Sequence, residues 1–71
     1  MYTVTTTHQP SRTTKTVEFV DYKKAFLYYS EEVYDKNLSD NAEWPSADSD
    51  PDLRAGGRGH DYIIELTNTN D

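Results

Sequence analysis

The chain contains no cysteine. Disulfide staples and thiolate chemistry are thereby excluded, and a metal site would have to be built from histidine and carboxylate ligands. No long apolar run is present, so no transmembrane helix is expected, and the N-terminus lacks the charged-then-apolar pattern of a signal peptide. These absences point to an intracellular, cytoplasmic protein. Glycine is scarce, all of it at Gly56, Gly57 and Gly59, and proline is confined to Pro10, Pro45 and Pro51. Basic residues are also few, seven against thirteen acids, for a net charge of −6. That balance disfavours direct binding to nucleic acid or an anionic membrane, which draw affinity from Lys and Arg, and favours a basic partner. Apolar residues make up 34% of the 71, a length at which one core is only marginally stable. A single domain is expected, its burial completed by six tyrosines, by a second copy or by a partner.

The best-defined element in the sequence is a helix over residues 21–37, DYKKAFLYYSEEVYDKN, with Asp21 as its N-cap. Tyr22, Ala25, Phe26, Tyr29 and Val33 recur at helical spacing and form an apolar stripe that needs a covering surface. Leu27, Tyr34 and Leu38 form a second stripe, roughly 120 to 160° round the helix at ~100° per residue.

β-Branched residues at period two predict strands over residues 2–8 and 14–20, joined through the QPSRT turn as a hairpin. A third strand is predicted over residues 60–68, followed by a frayed tail. The expected fold is α+β: a three-stranded antiparallel sheet in the order 2-1-3, in a ββαβ chain, with the helix across one face. The core candidates are Val4, Val17, Phe19, Tyr22, Phe26, Tyr29, Val33, Tyr62, Ile64 and Leu66. The opposite face would carry Thr3, Thr5, Thr7, Thr16, Glu18, Val20, Ile63 and Glu65, as a solvated face or a contact surface.

Residues 38–59 are read as a long acidic loop anchored by Trp44 and Leu53. A connection of that length in a small domain is either functional or disordered. Trp44 either folds back onto the second helical stripe or leaves that stripe free as an interface. From Glu31 to Asp52 the chain carries eight acids, Glu31, Glu32, Asp35, Asp40, Glu43, Asp48, Asp50 and Asp52, against Lys36 alone. Alternate acids of an extended segment stand ~6.6 Å apart, whereas duplex DNA presents a charge every ~1.7 Å of axis. The block therefore supports partial mimicry of a nucleic-acid backbone, or electrostatic steering onto a basic protein, rather than a copy of a duplex; the plain alternative is a solvated acidic face.

Other motifs are weaker. The alternate carboxylates of residues 48–52 resemble the opening of a calcium loop, but Leu53 and Gly59 stand where its glycine and bidentate Glu belong. His8 and His60 fall at neighbouring strand ends in the 2-1-3 order and could meet, although a third ligand is missing. The GGRG run lacks the spacing of a phosphate loop and reads as a flexible hinge. No serine sits in a recognisable nucleophile motif, so no catalytic residue, cofactor or metal is assigned.

The hairpin of residues 2–20, the helix of 21–37 and the acidic run of 31–52 together resemble the small, acidic, cysteine-free inhibitors carried by bacteriophages, anti-CRISPR proteins among them. That resemblance implies a noncatalytic, stoichiometric inhibitor of a CRISPR effector, acting in a bacterial cytoplasm. Within this expectation Glu31, Glu32, Asp35, Asp48, Asp50 and Asp52 steer and pair with a basic protein or ribonucleoprotein complex, and Tyr28, Tyr34 and Trp44 anchor the contact. The alternative is a homodimeric structural protein associating through Leu27, Tyr34 and Leu38.

Overall fold

The computed structural model describes residues 1–45 and 54–68. Along the chain run β1 (Tyr2–His8), β2 (Thr13–Phe19), α1 (Tyr22–Asp35), a 3-10 turn (Ser39–Asn41), β3 (Arg54–Arg58) and β4 (Tyr62–Asn68). The strands form one antiparallel sheet in the order β2-β1-β4-β3, with α1 against one face, an α+β architecture.

The sheet thus has four strands, not the expected three. The additional one, β3, lies in the segment read as a loop ending in a glycine hinge. Its sequence, RAGGR, has no β-branched residue and no large apolar side chain, so nothing in its composition marks a strand. Pairing decides instead: Ala55 stands opposite Leu66 and Gly57 opposite Ile64. Gly57 is also where the strand meets other elements most closely. A Cβ there would lie 3.4 to 3.6 Å from Ala42, Val33 and Leu38, so a larger side chain would push the strand off the helix terminus.

α1 begins where Asp21 accepts a hydrogen bond from the Lys23 amide. It ends through Asn37, in the left-handed region at φ 57°. The Leu38 N–H donates to the Val33 carbonyl at 2.8 Å and the Asn37 N–H to Tyr34 at 3.2 Å, a Schellman closure. This reversal tucks Leu38 into the core, away from the second stripe on which Leu27 and Tyr34 remain.

The fully buried side chains are Val4, Ala25, Tyr29, Val33, Ala55, Ile64 and Leu66, with Leu38 nearly so. Val17, Phe19, Tyr22, Phe26 and Tyr62, also expected in the core, are half-buried around its margin. The far face of the sheet carries Thr3, Thr5, Thr7, Thr14, Thr16 and Thr67 together with Glu18, Glu65, Arg54 and Arg58. Among the described residues, no helix is long and apolar enough to cross a membrane.

Candidate functional site

α1 presents two different flanks. Toward β2 it carries Tyr28, Glu31, Glu32 and Asp35, which line a shallow hollow of about 280 Å³. Tyr28 stacks on Phe19 with ring centroids 5.4 Å apart, and its buried hydroxyl has no partner among the described residues. The helix spacing brings the three acids to one side, but Lys36 answers two of them. Its Nζ lies 3.3 Å from Glu32 and 3.1 Å from Asp35. The hydrogen bond to Asp35, and the further bond and charge of Glu32, hold the Lys36 ammonium above the ordinary lysine pKa against a smaller opposing effect of burial. Glu31 makes no ion pair among the described residues.

The flank toward β3 is aromatic. Trp44 stacks edge-on against Tyr29 at 5.7 Å, and its ring also meets Tyr34 at 6.0 Å and Phe26 at 6.1 Å. Phe26 continues to Tyr22 at 6.0 Å, and Tyr22 to Tyr2 at 5.4 Å. Backbone bonds hold the indole in place: Glu43 N–H donates to Gly56 at 2.7 Å, and the Tyr29 hydroxyl donates to the Glu43 carbonyl at 2.7 Å. Burial, with the Glu43 carboxylate nearby, pushes the Tyr29 pKa up to about 12. Trp44 thus folds back onto the helix while its outer edge stays in water.

Leu27 is 60% exposed, Tyr34 63% and Trp44 41%. Beside Leu27 a cavity of about 310 Å³ is bounded by Tyr22, Lys23 and Phe26. Leu27 and Tyr34, on one side of the helix, and Trp44 against Tyr34 form an exposed apolar ridge. Glu31 lies next to Leu27 and Tyr34 on the helix surface, at i+4 and i−3.

The structure therefore brings Tyr28, Glu31, Glu32 and Asp35 together on one flank and sets Tyr34 and Trp44 on the other. Asp48, Asp50 and Asp52, with the calcium-like run they belong to, lie outside the described residues. Leu27, expected with Tyr34 on the second stripe, stands on the exposed ridge, and Phe26, expected in the core, is half-buried beside Trp44. Leu38 leaves the second stripe for the core.

The remaining candidates are repositioned. The sheet register sets Tyr62, not His60, opposite His8, with the two rings 4.8 Å apart. His8 Nδ1 lies 2.7 Å from Ser11 Oγ, and that hydroxyl donates to Thr13 at 2.8 Å. Which partner donates across the His8–Ser11 contact is set by the imidazole tautomer. No group of three His, Asp or Glu side chains suited to a metal occurs among the described residues. No protein-family model, curated protein or solved structure matches the chain.

Proposed function

We propose that the protein is a noncatalytic binding protein that docks on a basic surface of a nucleic-acid-processing ribonucleoprotein and inhibits it, in the manner of an anti-CRISPR. The observation that carries this reading is the exposed ridge of Leu27, Tyr34 and Trp44. Aromatic anchors of this kind dominate protein interfaces. Glu31, beside the ridge and without an ion pair among the described residues, supplies a charge for steering, and the net charge of −6 gives the approach its sign. Glu32 and Asp35 have a smaller part in this version because Lys36 already occupies them.

The test is addition of the purified protein to a panel of purified CRISPR effector complexes, with target-DNA binding as the readout. One effector should lose DNA binding at a one-to-one ratio, and the effect should weaken as salt rises. Indifference of every effector, at any ratio, would remove the inhibitor reading.

A second reading is favoured by the adjacency of Leu27 and Tyr34, which would bury each other across a two-fold axis in a homodimer. Sedimentation over a dilution series separates it from the first. A dimer that Leu27→Asp converts to monomer identifies self-association.

A further inference from the structure

The charges on α1 run against its dipole. Its first turn carries Lys23 and Lys24 and no acid, and its last turn carries Glu32 and Asp35 and no base. A helix is stabilised by the reverse arrangement, because its N-terminus is the positive end. The caps relieve part of the conflict, Asp21 at one end and Lys36, paired with Glu32 and Asp35, at the other. Lys23, Lys24 and Glu31 are left exposed, with no ion pair among the described residues. The residues one turn from Glu31 are Leu27, Tyr28, Tyr34 and Asp35, none of them basic.

These charges surround the exposed ridge. At ~100° per residue, Leu27 points away from buried Ala25 and Tyr29, with Tyr34 ~20° to its Trp44 side. On its β2 side lie Glu31 at ~40° and Lys24 at ~60°. Glu31 and Lys24 are one heptad apart, so their midpoint on the helix falls between Leu27 and Tyr28. A two-fold axis at that midpoint, perpendicular to two antiparallel helices, brings Glu31 of each copy level with Lys24 of the other, on the same side. The two Leu27 side chains meet at the axis. Tyr34 of each copy arrives level with the other's first turn, where the cavity of about 310 Å³ bounded by Tyr22, Lys23, Phe26 and Leu27 lies on the Trp44 side. A parallel pair would instead set Lys24 against Lys24 and Glu31 against Glu31.

We propose that the occupant of the ridge is a second copy of the chain, its α1 antiparallel to the first and its register set by reciprocal Lys24–Glu31 pairs. This rests on the second reading above, self-association through Leu27 and Tyr34, and adds its orientation and the residues that enforce it. The antiparallel copy also places each lysine-bearing first turn beside the other helix's negative end, which answers the conflict within α1. Pairing covers the exposed ridge, so a dimer must part before the ridge can dock on any other target. The contact is one helix face wide, smaller than the ~800 Å² per partner of a standard interface, so the association is weak.

The experiment is sedimentation of the full chain from micromolar to millimolar concentration, at low and high salt, for the native protein, Lys24→Glu, Glu31→Lys and the double exchange. The native chain should dimerise, less so at high salt. Each single reversal should raise the dimer Kd about tenfold, because symmetry counts every pair twice and reversal turns attraction into repulsion. The double exchange restores opposite charges only in the antiparallel register, and should return the Kd to within about twofold of native. All these side chains are exposed, so the fold is expected to survive, and the thermal transition of each variant verifies it. A dimer indifferent to the reversals, or one that the double exchange fails to restore, overturns the antiparallel arrangement and leaves self-association standing. A native chain that stays monomeric at every concentration overturns both.

Discussion

Tyr29 joins three parts of the molecule. It is fully buried on α1, bonds the backbone of Glu43 and supports the Trp44 ring. Its pKa of about 12, above the ordinary 10.0, means that the fold favours the neutral phenol. That contribution is fully present below pH ~10 and is lost as pH rises toward 12, on the order of 2 to 3 kcal/mol across the window. Tyr29→Phe should cost about 1 kcal/mol at neutral pH, through the lost hydrogen bond, and should flatten the alkaline decline. Urea unfolding at stepped pH measures both, and an equally steep decline in the variant would assign the alkaline sensitivity elsewhere. Thr6 makes the opposite case. Thr6→Val should raise the unfolding free energy by about 1 kcal/mol, since it removes a buried hydroxyl with no hydrogen-bond partner among the described residues.

At the scale of elements, the helix was legible because its signals are local. Asp21 caps it, and the spacing of Ala25, Tyr29 and Val33 marks its buried face; the closure at Asn37, in the left-handed region, appears only in the structure. Asp21→Ala should cost about 1 kcal/mol in thermal unfolding. β1 and β4 were legible for a similar reason, their alternation. β3 was not, because a strand of Arg, Ala and Gly carries no pattern, and only its partners Leu66 and Ile64 specify it. The small side chains that hide it are also what let it approach Val33 and Leu38. Gly57→Leu should therefore destabilise by about 2 kcal/mol or more, while an alanine there meets ordinary contacts. The exposed ridge was legible only in part. Periodicity pairs Leu27 with Tyr34, but Trp44 reaches them through the backbone bond of Glu43 to β3, a contact that requires the strand the sequence conceals.

For the whole molecule, the acidity is unevenly placed. All seven basic residues but only nine of the thirteen acids lie among the described residues, so the described surface is far closer to neutral than the chain as a whole. On that surface the apolar ridge is the stronger candidate for recognition, and Glu31 is its adjacent unpaired charge. Glu31→Lys should slow association with a basic target severalfold at low salt and have little effect at high salt, where screening removes steering. The most direct measurement is a titration of the responsive effector's target-DNA binding with the native protein and with Leu27→Asp, folding of the variant being verified by its thermal transition. Full inhibition at one equivalent by the native chain, and at least a hundredfold weaker inhibition by Leu27→Asp, is the predicted result. Equal inhibition by the two would contradict the assignment of the ridge as the docking surface.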